Sequence, residues 1–511
     1  MSEITERLAE LERLGLSRRM RMISGPQGPT VLLDGRPVLL LCSNNYLGLA
    51  DHPRVREAAA DAARRWGVGA GASRLVSGSM TIHRRLEERL ADFEGTQSCL
   101  LFGSGYLANL GVLGALAGAE DVIFSDELNH ASIVDGCRLS RAEVVVYRHR
   151  DVEHLDWCLR RRGEGRGGRV IVTDSVFSMD GDIAPLAHIA ELAQIYGARL
   201  VVDEAHATGN VGPDGRGAIA AAGLEGEIDV VIGTLGKALG SYGAYACASS
   251  EIVEYLVNTA RSLIFSTAPA PPQVAGALAA LDLLRERPHR VARLRSNART
   301  LRSALAEEGF PVAEGEMHIV PLIAGDERAA LAFCRHALDL GVFAQAIRPP
   351  TVPAGTSRLR LTAMASHTPA ELREAAAALA VAARRAGIEP EQMLAPAPEP
   401  VEELAEIETA LVRAERISAQ QSAGETGPFD FERDSTAPRA SGPFDQDEPR
   451  APATDPAPAA PDAAPGEGME SGVAPTPREG TPHDGGQAGA HAAAGAPTEL
   501  FDFERETARA A

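Results

Sequence analysis

Apolar residues along this chain change their period several times, and the changes divide it. Residues 3–20 carry Ile4, Leu8, Leu11 and Leu14 at helical spacing and end in a basic cluster of Arg18, Arg19 and Arg21, which predicts a surface helix. Gly25-Pro26-Gln27-Gly28-Pro29 breaks it, and short β-type runs follow at 30–33 and 38–42. A helix is predicted over 53–66, a glycine- and serine-rich loop over 67–78, and then a helix with Ile82, Leu86, Leu90 and Phe93 on one face. From there to about residue 250, apolar runs at 98–102, 121–124, 143–147, 169–173, 199–202 and 229–233 alternate with helical segments such as 107–116 and 186–196. Runs without strict alternation fit strands buried on both faces, hence a mainly parallel sheet covered by helices. Ligands of such α/β sheets gather at the carboxyl ends of the strands.

Long helical patterns take over around 275–308. Runs at 312–323, 341–347 and 359–362, closed by a helix over 369–385, read as a smaller α+β domain. Beyond Pro390 the chain turns to Pro, Ala, Gly and acidic residues. Apart from an amphipathic helix over 400–420 (Val401, Leu404, Ile407, Leu411), disorder is expected there. The predicted division is an N-terminal arm over 1–45, a large domain over 46–285, a small domain over 286–390 and a tail over 391–511.

Charge alters this picture only slightly. The net charge of −20 over 511 residues is uneven, with about two-thirds of the acidic surplus beyond residue 400. The rest is mildly acidic, which argues against nucleic acid or an anionic membrane as partner. Six scattered cysteines form no CxxC pair and no metal-ligand spacing, as in reduced cytosolic proteins. No stretch is long enough to span a bilayer and the N-terminus lacks an apolar leader. A cytoplasmic protein is expected.

Lysine occurs once, at Lys237, among 50 basic residues. Arginine supplies charge at least as well, but only an amine can lose its proton and attack a carbonyl. Either a high-arginine chain kept one lysine by chance or this position does covalent chemistry. Asp203 ends one strand and His206 follows three residues on; a buried carboxylate there can hold a heterocyclic nitrogen protonated. The same Asp203-Glu204-Ala205-His206 spells a helicase box, yet position 231 is Val where a phosphate loop needs Gly, and 238 is Ala where it needs Ser or Thr. That reading falls. The turn at Gly105 and Tyr106 joins a strand to a helix and suits a phosphate, although such turns are common. His130 and Ser178 each follow a strand, and either can be structural. Arg360 alternates with apolar neighbours, as on a solvated strand face or in a carboxylate clamp.

The order of these signals resembles the α-oxoamine synthase family of pyridoxal-phosphate enzymes. The resemblance covers roughly residues 15–388 and rests on Ser43-Asn44-Asn45-Tyr46-Leu47-Gly48-Leu49, Asn129-His130-Ala131-Ser132, and the stretches 176–182, 203–209, 234–237 and 346–356. It implies an aspartate-aminotransferase-type fold, pyridoxal 5'-phosphate as cofactor and a homodimer. Lys237 is implied as the covalent attachment point and later the general base, Asp203 as partner of the pyridine nitrogen, His206 as a contact of the ring oxygen, and His130 as the stacking imidazole. Gly105, Tyr106, Ser178 and Thr234 are implied to hold the cofactor, with Thr267 supplied across the dimer interface. Asn44, Thr351, Arg360 and an N-terminal arginine, Arg18 or Arg19, are implied to bind substrate. The run over 346–356 points to the branch that joins L-alanine to a pimeloyl thioester; relatives use glycine or serine and other thioesters.

The tail has no counterpart in that family. Phe429-Asp430-Phe431-Glu432-Arg433 returns as Phe501-Asp502-Phe503-Glu504-Arg505 in a chain only 4% aromatic. The repeats read equally as docking peptides for a protein partner or as a duplicated tail without one.

Overall fold

A computed structural model describes residues 2–162 and 167–395. The helix expected over 400–420 and the Phe-Asp-Phe-Glu-Arg repeats lie outside the described residues. Seven strands make the central sheet: β1 (Ser98–Phe102), β2 (Val122–Asp126), β3 (Glu143–Tyr147), β4 (Arg169–Asp174), β5 (Arg199–Asp203), β6 (Val230–Thr234) and β7 (Ala244–Ala248). Their order is β1-β7-β6-β5-β4-β2-β3. All pairs among β2 to β6 are parallel, and β7 runs antiparallel to both β1 and β6. This is the mainly parallel α/β sheet expected.

Alternate residues of each strand feed two cores. Leu101, Phe124, Ile171, Val202 and Val231 pack into one. Leu100, Phe102, Ile123, Val172, Val201 and Ile232 pack into the other. Both faces are therefore dry, and the strands read as unbroken apolar runs for that reason. Each such side chain contributes about 1.5–3 kcal/mol of burial. Only the edge strand β3 departs, leaving Val144 and Val146 exposed.

A second sheet of three antiparallel strands has Ser357–Thr362 between Ile319–Gly325 and Gln345–Ile347. The N-terminal strands Thr30–Leu33 and Arg36–Leu40 form a hairpin, and Val342–Phe343 adds to it in parallel. The arm is thus tied to the C-terminal part of the described chain. Helix Pro369–Arg385 starts with a reciprocal cap in which Thr368 and Glu371 satisfy each other's backbone N–H.

Several elements differ from the sequence reading. The first helix spans Glu3–Arg13, because Gly15 takes a left-handed conformation that ends it; the arginine cluster lies beyond, in the extended arm. Within the expected loop, Arg74–Gly78 is a π-helical turn, and a Cβ on Gly78 would collide with the Ala72 carbonyl. The strand expected over 312–323 begins only at Ile319, and the run over 341–347 splits between two sheets. Periodicity misses β7: its Ala244-Tyr245-Ala246-Cys247-Ala248 is poor in β-branched residues, and its place between two strands decides its conformation.

His149 joins the end of β2 to the loop that follows β4. Its Nδ1 lies 2.9 Å from Asp126 Oδ1 and its Nε2 2.8 Å from Asp182 Oδ2. Burial alone would lower its pKa, but the two carboxylates outweigh it and push it up to about 9. A raised folded-state pKa adds stability that is complete below the unfolded value near 6.5 and disappears as pH climbs through about 9. Denaturant unfolding should show the wild type about 1–2 kcal/mol more stable than His149→Gln at pH 6, with the margin closing by pH 10. A pH-independent margin would contradict this ion-pair account.

Candidate active site

The carboxyl ends of β2, β4, β5 and β6 converge on one set of polar side chains. Lys237 sits in the turn after β6, where Gly236 N–H donates to Thr234 Oγ1 (3.2 Å) and Gly240 N–H to the Lys237 carbonyl (2.9 Å). Gly240 has a φ of 60° and lies so close to Ala50 that no side chain fits. The Lys237 side chain as a whole is half-buried, but its amine reaches inward to lie 2.8 Å from His206 Nε2. Lost solvation lowers that amine to about 8, against the pull of Asp203 and Asp174 and with help from Arg360.

His206, also buried, is held well below its ordinary pKa by desolvation first and then by Lys237 and Arg360. It stays neutral and accepts from the ammonium at Nε2, so its proton resides on Nδ1, 2.7 Å from Tyr46 Oη. Tyr46 Oη passes its own proton to Asn44 Oδ1 (2.9 Å) and accepts from Arg360 Nη2 (3.2 Å). Arg360 Nη1 also donates to Asn44 Oδ1 (3.2 Å), and its Nε to the Ser178 carbonyl. Hydrogen bonds donated from Lys237 and from Arg360, some 120 residues apart in sequence, thus converge through Tyr46 on Asn44 Oδ1. Arg360 is buried rather than on a solvated face, and among the described residues no carboxylate pairs with it. Such a guanidinium is suited to an incoming carboxylate.

Asp203, at the end of β5, accepts from Ala205 N–H (2.8 Å) and Asn109 Nδ2 (2.7 Å). Beside it Asp174 is pushed well up by burial and then by the charge of Asp203, and accepts from His130 N–H (2.7 Å). His130 opens the helix Ala131–Ser140 as an exposed residue; the solvation its imidazole does lose, opposed by Asp203, lowers its pKa. Gly105 starts the helix Gly105–Leu116 with open space around it, and Ser104 caps that helix at Leu107 N–H (3.3 Å).

Six candidate residues from the sequence meet here: Lys237, Asp203, His206, Asn44, Ser178 and Arg360. Others stand at exposed positions. Tyr106 bonds Asp135, and Arg18 reaches the Pro349 carbonyl (3.5 Å), two residues from exposed Thr351. Thr267 is exposed and pairs through its backbone with Ser73. Sequence reasoning missed Tyr46, Asn109, Ser132 and His318 as part of the site. His318 packs its ring edge-on against Tyr46 at 4.2 Å, and its Nε2 is buried without a partner among the described residues. Tyr46 and Ser132 lie in stretches that carry the family resemblance but were assigned no role there, and Asn109 and His318 carry no sequence signal.

An amine near neutrality, a buried carboxylate at a strand end, an open helix start and an unpaired guanidinium define a pyridoxal-phosphate enzyme of the aspartate-aminotransferase fold type. The residues fit that cofactor: Asp203 for the ring nitrogen, the Gly105 turn for the phosphate, Lys237 for the aldehyde. The comparisons agree. The model of the family described as aminotransferase class I and II matches residues 36–379. The 8-amino-7-oxononanoate synthase of Geotalea daltonii is 51% identical over 76% of this chain and 99% of its own length. That of Geobacter metallireducens is 53% identical over 75% and 98%. A solved serine palmitoyltransferase variant from S. paucimobilis with bound PLP–myriocin superposes with a TM-score of 0.72, 34% identical over 75% of this chain and 97% of that one. The chain belongs to the aminotransferase class I and II family, among the 8-amino-7-oxononanoate synthases, and is a pyridoxal-phosphate-dependent acyltransferase.

Because lysine occurs once, its amine can be titrated by chemistry. In the cofactor-free protein, labelling of Lys237 by an amine-selective acylating reagent, located by peptide mass, should rise with a midpoint near pH 8. A midpoint near the ordinary lysine value of about 10.4 would show that desolvation does not act on it.

Proposed function

We propose that the protein catalyses the decarboxylative condensation of L-alanine with a pimeloyl thioester, releasing the thiol and carbon dioxide and forming 8-amino-7-oxononanoate for biotin synthesis. The observation that carries this reading is about half identity to 8-amino-7-oxononanoate synthases over nearly their whole length, with the Lys237–Arg360 chain intact at its centre. Bound pyridoxal phosphate supplies an electron sink that acidifies the α-carbon of an attached amino acid.

The chain's own residues do the rest. Asp203 keeps the ring nitrogen protonated, and His130 covers the ring face. Arg360, with which no carboxylate pairs among the described residues, takes the amino-acid carboxylate together with Asn44. Lys237, whose amine is near 8, is partly unprotonated at neutral pH and removes the α-proton, then returns one after carbon dioxide leaves. His206 sits on the amine without competing for its proton, because burial and Lys237 itself keep it neutral. Gly105, Tyr106, Ser178 and Thr234 hold the cofactor, while Arg18 and Thr351 contact the thioester. The protein works as a cytosolic homodimer with Thr267 contributed across the interface. The likeness to a serine palmitoyltransferase structure supports a second reading, condensation of glycine or serine with another acyl thioester.

Incubation with alanine, glycine or serine plus either a pimeloyl or a long-chain acyl thioester, with products identified by mass, separates the two readings; product from glycine or serine but none from alanine would overturn the first. Lys237→Arg should abolish turnover and the visible absorbance of bound cofactor together, since guanidinium cannot deprotonate. An active arginine variant would remove Lys237 from the mechanism. Deleting residues 396–511 should leave kcat and KM within about twofold, because nearly the whole length of the related synthases is matched by about three-quarters of this chain.

A further inference from the structure

Two buried polar side chains beside the site have no role in the reading above. Asn109 lies in the helix Gly105–Leu116 and Ser132 in the first turn of Ala131–Ser140, each 1% exposed. Asn109 Nδ2 is 2.7 Å from Asp203 Oδ2 and 3.0 Å from Ser132 Oγ, and Ser132 Oγ is 2.7 Å from His130 Nδ1. Asp203, Asn109, Ser132 and His130 form one unbroken chain.

Elementary donor and acceptor rules set the direction of each bond. An ionised carboxylate only accepts, so Asn109 must turn its NH2 group toward Asp203. The same NH2 donates to Ser132 Oγ, which frees the serine proton for His130 Nδ1. Ser132 N–H also points at that nitrogen, 3.2 Å away. With two donors converging on Nδ1, neutral His130 carries its proton on Nε2. The arrangement has a visible cost: Asn109 Oδ1 is buried with no partner among the described residues. Turning the amide over would set that oxygen against the carboxylate, so the protein leaves it unsatisfied to keep Asp203 oriented.

We propose that Asn109 and Ser132 are positioning residues that couple Asp203 to His130, fixing the carboxylate's orientation and holding His130 as the Nε2–H tautomer. The inference rests on the reading that Asp203 and His130 face the cofactor. Through it the ring-nitrogen partner and the stacking imidazole are aligned as one unit, with the Nε2–H directed outward from the Ser132 side, available to a substrate oxygen.

The test uses the holoenzyme with Ser132→Ala, Asn109→Ala and Ser132→Thr. Ser132→Ala and Asn109→Ala should move the midpoint of the cofactor's pH-dependent visible absorbance by about half a unit or more. They should also lower kcat about tenfold, with KM for the amino acid changed less than about threefold. Ser132→Thr keeps the hydroxyl and should restore both. An unchanged absorbance midpoint and kcat in Ser132→Ala would overturn the proposal, as would an equal loss in Ser132→Thr, which would point to packing alone. If Asn109→Ala does not fold, the two Ser132 variants decide. A wild-type chain that takes up no pyridoxal phosphate would overturn the cofactor reading itself, whereas silent variants of a coloured wild type overturn only this one.

Discussion

The amine of Lys237 lies 2.8 Å from an imidazole that cannot take its proton. That contact is the constraint on which the site depends. Burial lowers both groups and holds His206 well below its ordinary value, so the imidazole does not take the amine's proton and the lysine is the member of the pair that titrates at about 8. The imidazole then hands its Nδ1 proton to Tyr46, which binds Asn44 and Arg360. One desolvated amine thus fixes a tautomer, a hydroxyl and a guanidinium in turn.

The scaffold makes this possible by bringing strand ends together. Asp203 ends β5, Asp174 ends β4, and Lys237 follows β6 by a short turn. These strands are neighbours in the sheet, so their carboxyl ends are a few ångströms apart whatever the intervening sequence. Arg360 arrives from a different sheet, and the Ser178 carbonyl receives it. The loop that carries Ser178 is in turn held by His149 through Asp182 and by Arg358 through Asp180. Charges outside the site therefore help set the place of Arg360, which pairs with no carboxylate among the described residues.

Much of this was legible beforehand. Ser98–Phe102, Glu143–Tyr147, Leu186–Tyr196 and Pro369–Arg385 fall where hydrophobic period places them, because burial on two faces or one stripe leaves a direct mark on residue order. Solitary Lys237 stands out among 50 basic residues because an amine can lose its proton where a guanidinium cannot. The turn breakers did less well. Gly15 ends the first helix seven residues before the basic cluster suggests, and Ala-rich β7 shows no β pattern at all.

What sequence by itself determined is the list of reactive groups and the layered α/β plan, since both follow from residue type and spacing along the chain. Only the tertiary structure decided which groups touch. Arg360 read as solvent-facing or as a clamp, and its burial against Tyr46 and Asn44 settles where it lies. Asn109 and His318 are ordinary polar residues until folding removes water around them. A hydrogen bond of 2.7 Å between residues 94 positions apart has no trace in local sequence. It exists because adjacent elements share a dry interface, where an unpaired donor is costly and a paired one has a single direction.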